Sequence, residues 1–170
     1  MKLDSKIEIE RKYIVKKPSL EDMRAMEGYT ESKITQIYLA SDLGVTHRIR
    51  SRIYPDRAVY TETKKVRIDK MSAYEDECEI SESEFFEKSK KIDVAARPII
   101  KTRYTFLYKG VTVEIDVYPE WNRCAIMETE LEDREESVEI PDFIEIVRDV
   151  TGDKAYSNAA MAREFPTEPD

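Results

Sequence analysis

Segment after segment of this chain puts charge on one face of a strand and hydrocarbon on the other, and that inversion limits what it can fold into. The first is Lys6–Val15 (KIEIERKYIV), rich in β-branched and aromatic residues and unbroken by Gly or Pro, which reads as a β-strand. Side chains alternate across a strand, so Glu8, Glu10 and Lys12 share one face while Ile7, Ile9, Tyr13 and Val15 share the other. Two carboxylates followed by an ammonium can hold a cation and an anion side by side. Alone, the segment reads as an edge strand with a wet outer face. Its recurrence changes the reading.

Val45–Ile53 (VTHRIRSRI) lines up Arg48, Arg50 and Arg52 against Val45, Ile49 and Ile53. Three guanidinium groups in a row repel one another unless anions lie between them, and their planar forks suit phosphate oxygens. Ala58–Lys65 places Tyr60, Glu62 and Lys64 on one parity, and Tyr74–Ile80 places Glu75, Glu77 and Glu79 on one face. Ile99–Lys109 carries Lys101 and Arg103, Val111–Tyr118 carries Glu114 and Asp116, and Cys124–Glu132 carries Glu128, Glu130 and Glu132. Lys33–Ala40 is a further strand. Turn signals at Asp42-Leu43-Gly44, Tyr54-Pro55-Asp56-Arg57, Gly110 and Pro119–Asn122 are short enough to make neighbouring strands antiparallel.

Helix signals fall between the strands. Pro18–Glu27 has Ser19 as its cap and Gly28 as its stop, and Ser81-Glu82-Ser83-Glu84 is a capping box opening a helix through Lys91. Pro141 at a first-turn position predicts a helix through Val150, ended by Gly152, and Lys154–Arg163 is a weaker, Ala-rich helix. Residues 166–170 read as a disordered tail after a single domain spanning 1–165.

The chain's 170 residues suit one domain with a real core, and its net charge of −8 argues against non-specific binding of nucleic acid. No apolar run approaches a membrane span, and the N-terminus lacks the apolar core of a signal peptide. Cys78 and Cys124 are too few for a disulfide framework or a zinc site, and free thiols in a reducing cytoplasm are the expectation. His47, the only histidine, sits on the apolar parity of its strand and reads as structural, so a Ser-His-Asp triad is not expected.

Roughly eight strands therefore carry a greasy face that helices and loops must cover, and a charged face that meets either bulk water or its own kind. Closed into a barrel, the charged faces line a lumen. Acidic strands (Glu8 and Glu10; Glu75, Glu77 and Glu79; Glu114 and Asp116; Glu128 and Glu130) then meet basic ones (Lys12; Arg48 and Arg50; Lys64; Lys101 and Arg103). Uncompensated burial of so many charges is prohibitive. Clustered carboxylates raise one another's pKa unless a cation holds them ionised, and oxygen ligands without His or Cys select Mg2+ or Mn2+. The basic residues need a polyanion. A divalent ion with a multi-phosphate chain satisfies both sets.

The chain resembles the CYTH superfamily, the triphosphate tunnel metalloenzymes, over about residues 6–160. The resemblance rests on Glu8-x-Glu10-x-Lys12, Arg48-Ile49-Arg50, the Lys64 strand, Glu75-x-Glu77-x-Glu79, Lys101-x-Arg103, Glu114-x-Asp116 and Glu128-x-Glu130, in the family's order, with a C-terminal Val150–Asp153 and Tyr156-Ser157-Asn158 segment similar to bacterial members. It implies an α+β fold, an eight-stranded antiparallel closed β-barrel with helices packed outside, binding a small-molecule triphosphate. Glu8, Glu10 and a glutamate of the Glu128/Glu130 pair would hold Mg2+ or Mn2+, and Lys12, Arg48, Arg50, Lys64, Lys101 and Arg103 would grip the phosphates. Glu77, Glu79 and Asp116 would complete the shell, take a second metal or orient the attacking water. One position departs: two residues before Lys64 stands Glu62, where family members often have Thr. The implied activity is hydrolysis of tripolyphosphate or a nucleoside triphosphate. The alternatives are a class IV-type adenylyl cyclase, a thiamine-triphosphatase-like enzyme or a non-catalytic polyphosphate-binding module, and a homodimer stays open.

Overall fold

Nine strands form one antiparallel sheet in the computed structural model, which describes residues 4–170; residues 1–3 of the expected domain lie outside the described residues. They are β1 (Asp4–Lys16), β2 (Thr30–Leu39), β3 (Val45–Ile53), β4 (Ala58–Arg67), β5 (Ser72–Ile80), β6 (Ile99–Tyr108), β7 (Val111–Val117), β8 (Cys124–Glu130) and β9 (Ile146–Asp149). Their order is β5-β4-β3-β2-β6-β7-β8-β1-β9, and a further β5–β1 pairing closes eight of them into a barrel. β1 makes the closure because it is long. Glu10 to Lys16 pair with β8, while on its other edge Asp4 to Ile9 pair with β5 and Tyr13 to Val15 pair with β9.

Local chemistry sets the connections. Ser19 Oγ accepts from the Asp22 amide at 3.3 Å to start α1 (Leu20–Arg24). Ser81 Oγ accepts from the Glu84 amide at 3.0 Å to start α2 (Glu82–Ser89), as the capping box requires. Between β6 and β7, Lys109 (φ 49°) and Gly110 (φ 78°) both take left-handed backbone, the two-residue primed turn whose twist matches a right-twisted hairpin.

One expected helix is a strand. Pro141 starts a single turn, Ile144 N–H to Pro141 O at 3.0 Å, and the chain then extends as β9. The physical reason is β1: β5 leaves its edge after Ile9, and the vacant N–H and C=O groups beyond need partners. β9 and its flanks supply them, Lys16 N–H to Glu145 O and Val150 N–H to Lys12 O, each at 3.0 Å. The expected Lys154–Arg163 helix divides at Ser157 into a 3-10 turn (Lys154–Tyr156) and α3 (Asn158–Arg163), Ser157 Oγ capping α3 through the Ala160 amide. Residues 166–170, expected as a disordered tail, hydrogen bond to the barrel: Trp121 Nε1 donates to Pro166 O at 2.9 Å, and the Arg123 and Cys124 amides donate to the Glu168 carboxylate.

Apolar side chains sit outside the barrel wall and at one end of it. Tyr13, Val15, Phe106, Val113, Ile115 and Met127 point outward beneath Met23 of α1 and the 138–144 segment, and Ile37, Ile49 and Ile80 lie beneath Phe85 of α2. Along several strands the inward face itself turns apolar in the same direction: Lys12 gives way to Ile14, Glu128 to Ile126, Asp116 to Tyr118, Lys101 to Ile99. These residues meet Trp121, Val150, Tyr156 and Met161, so the C-terminal segment fills that end with a greasy floor. Each large apolar side chain fully buried there contributes about 1.5–3 kcal/mol. Among the described residues no helix is long and apolar enough to cross a membrane.

Candidate active site in the barrel lumen

Above that floor lies a cavity of about 800 Å³, lined by Glu8, Glu10 and Lys12 of β1, Arg48, Arg50 and Arg52 of β3, Lys65 and Arg67 of β4, Glu75 and Glu77 of β5, Arg103, Glu114, Glu128 and Glu130, and by the 150–154 and 157–160 segments. The charged faces are inside. β3 and β8 lie half a turn apart round the eight strands, so the arginine row faces Glu128 and Glu130 across the lumen. β1, next to β8, and β5 beyond it extend the acidic wall.

Within this cavity Lys12, Lys65 and Arg103 already hold a carboxylate. Lys12 Nζ lies 3.3 Å from Glu128 and donates to Tyr156 O at 3.2 Å. Lys65 Nζ lies 2.9 Å from Glu8 and 3.7 Å from Glu75. Asp116 takes both edges of the Arg103 fork, at 2.7 and 2.8 Å, and Lys101 at 2.7 Å, and Arg103 also reaches Glu114 at 2.6 Å. Lys101 and Asp116 are each 1% exposed and do not line the cavity. They form the bracing beneath Arg103, with Asn158 Oδ1 accepting from Tyr118 OH at 2.9 Å and from Lys101 at 3.4 Å.

The carboxylates crowd one another. Burial, then the charges of Glu128 and Glu8, push Glu10 up to about 8. Burial and the contact with Glu8 raise Glu75 to about 7. Burial alone would raise Glu8 too, yet the hydrogen bond from Glu75 and the Lys65 ammonium bring it below the usual carboxylate range. Lys12 and Arg103 overcome burial to hold Glu128 near 2. A carboxyl at 8 beside two ionised neighbours is where a cation would be most stabilising.

By donor chemistry these residues fit a hard divalent ion: Glu8, Glu10, Glu128 and Glu130 are oxygen ligands on adjacent strands facing one cavity. Among the described residues no three of them converge closely enough to enclose an ion as they stand. Lys65 and Lys12 occupy Glu8 and Glu128, so taking up a metal exchanges one cation for another at these oxygens.

The lumen brings together Glu8, Glu10, Lys12, Glu77, Arg48, Arg50, Arg103, Glu128 and Glu130, as the pattern suggests. It does not take in all the rest. Lys64 is exposed on the outer wall, across from His47 and Asp76; the lumen lysine is Lys65. Both parities of β4 are polar, so alternation alone could not choose between them. The Thr pattern could have: two residues before Lys65 is Thr63, whose hydroxyl donates to Glu77 at 2.9 Å, and the departure at Glu62 disappears with the shift. Glu62 faces outward, 2.7 Å from Lys88 of α2. Glu79 is exposed and does not line the cavity, and Asp116 is consumed by Arg103 and Lys101. Arg52, Glu75 and Glu114, on charged faces but without an assigned role, do line it. Gln36, behind Arg50, carries no charge and gave no signal.

In its closed antiparallel barrel with this charged lumen the chain is similar to structures of CYTH-type triphosphatase and adenylyl cyclase-like proteins. No family model and no curated protein matches it. Solved structures do. Over 94% of its length and 96% of the other chain it is similar to the inorganic triphosphatase NE1496, at 25% identity and a TM-score of 0.59. It is similar to PH1012 from Pyrococcus horikoshii OT3 over 75% of its length and 81% of that chain (19% identity, TM-score 0.56). The candidate adenylate cyclase bh2851 from Bacillus halodurans aligns over 77% and 83% (17% identity, TM-score 0.52), a likeness of fold alone.

Proposed function

We propose that this protein is a metal-dependent triphosphatase that hydrolyses inorganic tripolyphosphate, or the terminal phosphate of a nucleoside triphosphate, in the barrel lumen. One observation carries the reading: an arginine row on β3 faces a carboxylate wall across a cavity of about 800 Å³, which has room for a triphosphate. The similarity to NE1496, an inorganic triphosphatase, supports hydrolysis over other uses of the fold.

In this reading Arg48 and Arg50 bind successive phosphates, and Lys65 and Lys12 close on them from β4 and β1. Mg2+ or Mn2+, held by Glu8, Glu10 and a glutamate of the Glu128/Glu130 pair, would supply charge neutralisation and polarise the phosphoryl group. Of the carboxylates the resemblance offers for orienting water, Glu77 is the one in the cavity, fixed by Thr63. Water oxygen bonds to the terminal phosphorus, the anhydride P–O bond breaks, and the water's proton leaves through Glu77. Orthophosphate and the shortened phosphate chain depart. A chain of net charge −8 with its β3 arginine row lining the cavity suits a small-molecule polyanion rather than nucleic acid.

Product analysis tests it: tripolyphosphate, ATP and thiamine triphosphate are incubated with Mg2+ or Mn2+, with EDTA as the control. Metal-dependent orthophosphate release is expected. Pyrophosphate with cyclic AMP from ATP, or undiminished turnover in EDTA, would overturn the reading.

A further inference from the structure

The lumen holds its cations in two different ways. Lys12, Lys65, Lys101 and Arg103 each lie within 4 Å of a carboxylate. Among the described residues, Arg50 and Arg52 of β3 have neutral hydrogen-bond partners instead. Arg50 donates from Nε and Nη2 to Gln36 Oε1, at 3.1 and 2.7 Å. Arg52 donates from Nε to Ser32 Oγ at 2.8 Å and from Nη2 to Thr105 Oγ1 at 3.4 Å. Arg48 Nε is buried without a hydrogen-bond partner.

Gln36 sits directly across from Arg50 on β2, is wholly buried, and donates from Nε2 to Tyr38 OH at 3.1 Å. Because the guanidinium can only donate, its fork turns the amide carbonyl toward the arginine, and the Tyr38 hydroxyl takes the amide nitrogen on the other side. The carbonyl takes Nε and one hydrogen of Nη2, leaving both hydrogens of Nη1 and the second of Nη2 outside the fork, on a guanidinium that lines the cavity. A glutamate has the same shape and reach. It would hold the same fork, but would cancel the charge that an incoming phosphate needs.

We propose that Gln36, buttressed by Tyr38, is a positioning residue that aims Arg50 at a substrate phosphate while leaving its charge uncancelled, and that the neutrality of the amide sets the anion affinity of the lumen. The inference rests on the proposed function, since it needs a phosphate to arrive. It accounts for why Arg50 on β3 has an amide where the lumen cations of β1, β4 and β6 have carboxylates. Burial, with the charges of Arg48 and Arg103, pushes Arg50 down to about 9, as expected of a guanidinium waiting for an anion.

The test is calorimetric titration of the full chain with sodium tripolyphosphate in EDTA, where no turnover is expected, for the wild type, Gln36→Glu, Gln36→Met and Arg50→Ala. Gln36→Glu is expected to bind on the order of tenfold more weakly or worse, since one charge-assisted contact is lost. Gln36→Met, which frees the fork but keeps its charge, is expected to lose less. The ligand-free melting temperature of Gln36→Glu should equal or exceed that of the wild type, because its new ion pair is internal, whereas a purely structural role lowers it. With Mg2+, the Gln36→Glu loss should fall on KM, with kcat within about threefold. Binding by Gln36→Glu close to wild type while Arg50→Ala is weakened would overturn the inference and leave the function standing. So would a larger loss in Gln36→Met than in Gln36→Glu. Should Gln36→Glu fail to fold, Gln36→Met decides: several-fold weaker binding supports the inference and wild-type affinity overturns it. A wild type that does not bind tripolyphosphate takes down the proposed function and the inference together.

Discussion

Lys65 is set against the carboxylate wall of the lumen, 2.9 Å from Glu8, while its neighbour Lys64 stands in solvent. Lys65→Ala is expected to cut tripolyphosphate kcat/KM on the order of tenfold or more, since a charge-assisted contact in an enclosed site is lost, whereas Lys64→Ala should stay within about twofold. Steady-state kinetics on the pair checks it, and a larger effect at Lys64 would reverse the assignment. Residue roles were legible where one parity of a strand is clearly apolar, as in β1, β3 and β7. In β4 Glu62 and Lys64 share one face and Thr63 and Lys65 the other, so the sequence pattern pointed to the wrong lysine by one position. Gln36 was illegible for a different reason: an uncharged residue on an otherwise ordinary strand acquires meaning only from the arginine across from it. A pH effect belongs to this scale too. The Met71 amide first, then Ser72 and Arg134, outweigh burial and hold the Asp69 carboxyl near 2, below its ordinary 3.8. A depressed carboxylate stabilises the fold above its unfolded value, and that contribution fades as pH falls from about 4 to about 2. The melting-temperature gap between the wild type and Asp69→Asn should therefore be present at pH 6 and shrink toward pH 2. A gap that widens on acidification would contradict the assignment.

Two elements carry their own expectations. Lys109 holds left-handed backbone that a lysine adopts only at a cost, in a turn that prefers Asn-Gly. Lys109→Asn should stabilise the protein by about 0.5–1 kcal/mol, with little lost at the exposed Lys109–Glu139 pair, as a denaturant titration would show. Gly152, at φ 76°, leaves no room for a side chain: an added Cβ would stand 2.7 Å from Lys70 Cβ. Gly152→Ala should cost about 1–3 kcal/mol, by forcing strained backbone and by prying the C-terminal segment from the β4–β5 turn. Strands, hairpins and both serine caps followed from local pattern. β9 did not. Phe143, Ile144, Ile146 and Val147 fit a short helix face as well as a strand, and what decided between them was the vacant edge of β1, more than a hundred residues away. The same holds for the tail, whose order depends on Trp121 Nε1 and on the Arg123 and Cys124 amides rather than on its own composition.

At the scale of the whole molecule, closure was legible because charge recurred on one face of strand after strand, and only a lumen lets acidic and basic rows compensate one another. The filled end was not, since Ile14, Tyr118 and Ile126 continue the charged parity and their meeting with Trp121 and Met161 is a matter of register. The central claim, that these charges face inward to hold a polyphosphate, is tested most directly by thermal melts with tripolyphosphate, pyrophosphate and orthophosphate at low and high NaCl. A ligand that binds only the folded chain adds about 3 kcal/mol at a hundredfold excess over Kd, a melting shift of roughly 5–10 °C for a domain of this size. Tripolyphosphate is expected to give that shift, pyrophosphate less and orthophosphate almost none, with high salt trimming it only modestly because an enclosed site is poorly screened. A small shift, equal for the three anions and erased by salt, would contradict the inward assignment.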